Sequence, residues 1–214
     1  MNRFIKTLLF SFFLLSKQPK LGAMIVTPIP VYALNFAHCQ ELFDEPNALT
    51  FFKIKQHLLW YQARGQLVHL DLSDTNLYML PPDFFEDVNN VLELNLSYNH
   101  FIQIPYTLRY LARSLGTLNI SHNNISTLAD LTVARFGGLL YLDASYNTIE
   151  IISLNPLMLP HLQTCNLSHN HISLVTPELQ HLIRTTHINL DGNPIPSLSE
   201  HFCSAEAFDE ALIQ

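Results

Sequence analysis

Apolar residues return along this chain in a fixed pattern, L-x-x-L-x-L-x-x-N-x-I/L-x-x-I/L, between Leu67 and Leu198. Six copies hold register. The first carries Leu67, Leu70, Leu72, Thr75, Leu77 and Leu80, and the second Val91, Leu94, Leu96, Asn99, Phe101 and Ile104. The third runs from Leu115, the fourth from Leu139, the fifth from Leu162 and the sixth from Thr185. Their ninth positions are Thr75, Asn99, Asn123, Asn147, Asn170 and Asn193, so the steps are 24, 24, 24, 23 and 23 residues.

Within each copy the L-x-L core alternates apolar and polar, the period of a strand with one buried face. A single strand has no partner in its own copy. It must pair with the matching strand of the next one, about 4.8 Å away, which builds a parallel sheet along a solenoid. Where the chain leaves the strand, backbone groups turn inward. The ninth-position amide can both donate to and accept from them. Thr75 in place of Asn suits an atypical terminal copy. The remaining residues return on the other side. Phe85, Val88 and Val91, then Val133, Phe136 and Leu139, have helix-like spacing, and Pro81, Pro105, Pro156 and Pro177 mark bends. Short helices, 3₁₀ turns or extended segments are expected there.

At these residues the chain resembles the leucine-rich repeat family, over about 130 of its 214 residues. The resemblance implies an α/β fold: a curved solenoid with a parallel sheet on its concave face and short helices or turns on its convex face. It also implies a scaffold for binding proteins and no cofactor, without naming a ligand. Many secreted animal relatives carry cysteine-rich caps. This chain, with three cysteines, does not, which leans toward a bacterial or intracellular setting.

Outside the repeats, residues 1–37 read as a signal peptide or apolar leader. Arg3 and Lys6 form a basic start, and Thr7 to Ser16 is an apolar run too short to span a bilayer. Cleavage sites are conceivable after Ala23 and after Ala33. An uncleaved leader would instead be a membrane anchor. Residues 38–66 read as a helical N-terminal cap covering the open end of the core and shielding the sheet edge, with Pro46 and Asn47 near its start and Gly65 past its end. Residues 199–214 read as a C-terminal cap, with Ser204 capping a helix that carries Phe208, Ala211 and Leu212.

Composition narrows function. The chain is 48% hydrophobic, 14% charged, and carries a formal net charge of −7. A phosphate backbone calls for a basic footprint, and no Lys/Arg cluster follows Lys20 in the sequence, so nucleic acid is not an expected partner. Neither a Walker motif nor G-x-G-x-x-G occurs, and no nucleophile–base set stands out. The expectation is a non-enzyme. Cys165 replaces a core Leu and should be a buried, inert thiol. Cys39 and Cys203 sit at opposite ends, beyond disulfide reach. Sequons at Asn95, Asn119, Asn124 and Asn166 carry little information, because the repeat consensus itself generates most of them.

Stacked copies create columns on the exposed side of the sheet. The fifth and seventh, rich in Asp/Asn and Ser, are family-typical. The third holds His69, Glu93, Thr117, Tyr141, Thr164 and His187; the eighth holds Asp74, Tyr98, His122, Tyr146, His169 and Gly192. Tyr98, His122, Tyr146 and His169 should form an aromatic stripe with Tyr141 beside it. Such side chains combine contact area with polar tips, as protein interfaces favour. The candidate partner-binding residues are therefore Tyr98, His122, Tyr141, Tyr146, His169, Glu93, His69 and His187. A metal site is not expected, because Tyr146 separates His122 from His169. The reading is a protein-binding module for an exported protein. The alternatives are a membrane-anchored structural or surface protein, or a bacterial effector that is delivered to a host cell and binds or inhibits a target enzyme.

Overall fold

A computed structural model describes residues 31–40, 48–132, 134–152, 154, 157–174, 180, 183–184 and 186–195. Residues 1–30 of the expected leader, Val133, and the C-terminal cap lie outside them.

Seven parallel strands form one sheet in chain order: β1 (Val31–Asn35), β2 (Leu67–Asp71), β3 (Val91–Asn95), β4 (Thr117–Asn119), β5 (Tyr141–Asp143), β6 (Thr164–Asn166) and β7 (His187–Asn189). Strands β2 to β7 are the L-x-L cores of the six copies, in matched register: His69 pairs with Glu93, Glu93 with Thr117, Thr117 with Tyr141, Tyr141 with Thr164 and Thr164 with His187. The chain is thus the expected solenoid. Fourth- and sixth-position residues point inward, and Leu70, Leu72, Leu94, Leu96, Leu118, Ile120, Leu142, Ala144, Cys165 and Leu167 are buried in one continuous core.

Two features depart from the sequence reading. Strand β1 falls inside the stretch assigned to the leader, and it pairs with β2 with Leu34 opposite Leu70. The pairing continues past the strands, where the Phe36 and His38 N–H groups donate to the Asp71 and Ser73 carbonyls. Val31, Leu34, Phe36 and Cys39 therefore trace a further, degenerate coil. Helix α1 (Ala48–Gln62) is its return segment. The 15-residue helix stretches the spacing from His38 to Asp74 to 36 residues, which hides the coil from a 24-residue repeat search. The sheet edge beside β2 is consequently covered by a strand. Helix α1 instead packs on the return side: Phe51, Ile54 and Leu58 are buried, Phe51 meets Phe84 edge-on at 5.2 Å, and Lys55 Nζ donates to the Asp83 carbonyl.

The return segments are mixed, as expected. Tyr106–Leu111 and Ala129–Thr132 are 3₁₀ helices, while the first copy turns through residues 82–87 without a helix. Phe84, Phe85, Val88, Leu108, Leu111, Leu131, Phe136 and Leu159 fill the core from this side.

The ninth-position residues form a ladder of amides. The Asn99 NH₂ donates to the carbonyls of Leu72 (2.8 Å), Leu96 (3.1 Å) and Ser97 (3.2 Å), and its oxygen accepts from the N–H groups of Thr75 (3.1 Å) and Leu77 (2.9 Å). Asn123, Asn147 and Asn170 repeat the pattern on the next coils. Each amide spans two coils, so turn and stacking are satisfied by one side chain.

Candidate functional site

The site begins with a backbone feature. In every coil the eighth-position residue has positive φ: His38 (59°), Asp74 (50°), Tyr98 (55°), His122 (53°), Tyr146 (52°), His169 (54°) and Gly192 (71°). The turn needs it, because the eighth residue must reverse the chain between the strand and the inward-pointing Asn. Just before it, a short bridge fixes the approach. The oxygen of the fifth-position Asx accepts from the N–H of the seventh-position residue, as in Asn95 to Ser97 (3.1 Å) and Asn119 to Ser121 (3.0 Å). The family-typical fifth and seventh columns thus bond to each other.

Left-handed backbone suits Gly, Asn and Asp, and is uncommon for a bulky residue. Tyr98 and Tyr146 occupy it nevertheless. What the conformation does is place rings of successive coils over one another. Tyr98 stacks on His122 at 4.1 Å and 9°, His122 on Tyr146 at 4.3 Å and 10°, and Tyr146 on His169 at 4.2 Å and 14°. The stripe is a four-ring ladder. Tyr98 and Tyr146 remain 58% and 47% exposed, so the stack is a surface feature rather than part of the core.

Both ends are defined. Beyond His169 lies Gly192, where a Cβ would fall 2.6 Å from His169 Nδ1. At the other end, Asp74 Oδ2 lies 2.6 Å from His38 Nδ1, and its Oδ1 accepts from Gln40 Nε2 at 2.9 Å. The two hydrogen bonds hold the Asp74 carboxyl below the usual carboxylate range. Its folded pKa being depressed, this contact stabilises the fold above the ordinary aspartate pKa and is lost as pH falls through the lower folded value. Wild type and D74N should therefore differ in urea midpoint at pH 6, and the difference should vanish toward pH 2. The exposed setting keeps the effect small.

Gly192→Ala should lower stability by about 1–3 kcal/mol, from left-handed strain plus displacement of the His169 ring. Gly65 provides the comparison. Its φ is also positive, at 65°, but a Cβ there meets nothing within 4 Å. Gly65→Ala should cost only the strain, and the excess for Gly192→Ala in urea unfolding measures the ring contact.

The third column lies on the strands, five residues before the ladder. His69 Nδ1 and Glu93 Oε2 are 3.1 Å apart. Tyr141 is 46% exposed on β5 and makes no ring contact with the ladder among the described residues, and His187 is exposed on β7. The eight candidate residues therefore form two parallel rows: Tyr98, His122, Tyr146 and His169 along the rim past the strand ends, and His69, Glu93, Tyr141 and His187 on the strand face. The sequence reading omitted His38, which extends the eighth column by one coil. Its only signal was V-x-x-L-x-F before His38–Cys39.

The remaining chemistry-bearing groups are placed structurally. Cys165 is fully buried, and burial, aided by the Asp143 charge, pushes its thiol up to about 12. Among the described residues, no group of three His, Cys, Asp or Glu is arranged to hold a metal ion, and no helix is long and apolar enough to cross a membrane.

Comparison with known proteins agrees with this geometry. A leucine rich repeat family model matches residues 65–113, and a second matches residues 161–182. The chain is 30% identical to Tsukushi of Mus musculus over 185 residues, 84% of this chain and 49% of that protein. It is 37% identical to the oligodendrocyte-myelin glycoprotein of Mus musculus over 124 residues, 49% of this chain and 28% of that protein. A weaker likeness, 27% over 92% of this chain, links it to the CD180 antigen of the same species. The chain spans about half the length of Tsukushi and less of the other two. With six in-register copies, an asparagine ladder and two matching models, the chain belongs to the leucine-rich repeat family.

Proposed function

We propose that this protein is a non-enzymatic binding module that engages a protein partner through the ring ladder and the adjoining third-column residues. One observation carries the reading: two bulky tyrosines stand at left-handed positions and stack with two histidines on the surface. An unfavourable backbone at an exposed site points to a use beyond folding, since Asn, Asp or Gly would serve the turn at lower cost. Stacking covers the faces of His122 and Tyr146 and leaves ring edges and polar tips for contact. Their rotamer freedom is spent before docking, which lowers the entropic cost of association. The third-column row, with Tyr141 and the His69–Glu93 pair, supplies a second line of contacts on the same side.

Export fits the basic start and apolar run of residues 3–16 and the likeness to a named glycoprotein. Of the two conceivable cleavage sites, the one after Ala23 leaves β1 whole, whereas cleavage after Ala33 would cut through it. N-terminal sequencing of material secreted from animal cells distinguishes them. A start at Met24 supports the reading, and retention of Met1 overturns it.

The binding reading is tested by affinity capture from the native source with wild type beside a Tyr98/Tyr141/Tyr146 triple alanine variant of confirmed fold. A partner held by wild type and lost by the variant supports it. A partner held equally by both moves the binding surface elsewhere.

A further inference from the structure

The return side carries a charge pattern that the linear sequence conceals. Beyond Arg64 the chain has four Lys or Arg side chains: Arg109, Arg113, Arg135 and Arg184. Three of them, Arg109, Arg113 and Arg135, line one hollow of about 630 Å³. It is built by three successive return segments, which contribute residues 87–89, then 109, 110, 112 and 113, then 134–135. Gly138 lets the last two approach, since a Cβ there would sit 3.1 Å from the Leu115 carbonyl oxygen and 3.3 Å from that of Arg113.

The three arginines are not alike. Arg109 is held in place: its guanidinium lies over the Tyr106 ring at 3.7 Å and the Tyr110 ring at 4.2 Å, and Nη2 donates to the Tyr110 hydroxyl at 2.6 Å. Arg113 and Arg135 are exposed and have no ion-pair or hydrogen-bond partner for their side chains among the described residues. One acid, Asp87, lines the same hollow. A protein with net charge −7 thus gathers three of its last four cations at one place, two of them without a partner among the described residues.

We propose that this hollow is a second binding site, for an acidic peptide segment of a protein partner, independent of the ring ladder. Guanidinium forks match carboxylates in bidentate geometry, and the fixed Arg109–Tyr110 pair pre-orders one wall. Three cations set against Asp87 are too short a track for a nucleic acid or a long sulfated chain, which gain affinity by neutralising many charges. The acidic remainder of the molecule would also repel a long polyanion. A short segment with two or three carboxylates suits both the charge and the size.

The test is fluorescence anisotropy on the full chain with a dye-labelled peptide, Gly-Glu-Asp-Glu-Asp-Gly, against its neutral counterpart Gly-Gln-Asn-Gln-Asn-Gly. The acidic peptide should bind, weaken with added salt, and lose about tenfold or more in affinity with R113Q/R135Q, a loss on the order expected for two charge-assisted contacts. R64Q, which removes a cation outside the hollow, should leave binding unchanged. D87N should strengthen it about two- to threefold by removing the one opposing charge. Equal binding by wild type and R113Q/R135Q, weaker binding by D87N, or binding of a sulfated disaccharide with none of the peptide would each overturn the proposal.

Discussion

Asn123→Ala is expected to lower stability by about 3–5 kcal/mol, a large share of what a domain of this kind has to lose. The amide donates to the carbonyls of Leu96, Ile120 and Ser121 at 3.0–3.1 Å, and its oxygen accepts from the Phe101 N–H at 3.0 Å. All four bonds are buried or nearly so. Alanine removes all four bonds at once. The Phe101 N–H is left buried without a partner, while the Leu96, Ile120 and Ser121 carbonyls keep one donor each, from the Asn99 amide, the Asn147 amide and the Tyr98 N–H. The cost therefore combines one stranded N–H with the loss of three further bonds. Because two coils share each amide, the loss should reach the neighbours and broaden the unfolding transition, as coupling between adjacent repeats requires. Asn124→Ala is the internal control. That side chain is exposed, one residue along, and the substitution should stay within about 0.5 kcal/mol. Urea unfolding of the two variants checks both statements. Equal destabilisation would show that the ladder is not what joins the coils.

Replacing Tyr98 and Tyr146 together by asparagine should weaken partner binding by about thirtyfold or more, equivalent to about 2 kcal/mol or above, while leaving stability within about 1 kcal/mol of wild type. The two halves have different origins. Asparagine tolerates the left-handed backbone and relieves strain on the order of 1 kcal/mol at each site. That gain offsets the three lost ring stacks, which contribute about 0.5–1.5 kcal/mol apiece at most and less at an exposed position. Nothing offsets the loss at an interface, where the rings supply both area and fixed geometry. Titration calorimetry with the captured partner reads the first half, and urea unfolding the second. A large stability loss would make the ladder a folding device. Unchanged affinity would place recognition elsewhere.

The repeat fold could be read from the chain because the ninth-position Asn and the alternating Leu leave a signature that local chemistry alone dictates. Leu70, Leu94, Leu118, Leu142 and Cys165 are where that pattern puts them. Strand β1 was not legible. Its coil has Cys39 in place of Asn and a 15-residue helix in place of a short return, so neither residue type nor spacing advertises it. For the same reason the sequence suggests a lid on the sheet edge where helix α1 is the return of a further coil. The eighth column could be written down from the sequence, but not its geometry. The residues share left-handed backbone next to the Asx bridge of the family-typical fifth and seventh positions, and their rings stack, neither of which a column of residue types conveys. The arginine hollow was invisible because Arg109 and Arg135 are separated by a full repeat and meet only when the coils stack.

The central claim, that the ring ladder is the partner-contacting surface, is tested most directly by nuclear magnetic resonance of the imidazole C–H signals during titration with the captured partner. His122 and His169 sit within the ladder, whereas His57 and His161 lie in helix α1 and in a return segment, away from it. The account predicts that the His122 and His169 signals shift or broaden while those of His57 and His161 stay in place. Unmoved His122 and His169 signals at saturating partner would contradict it.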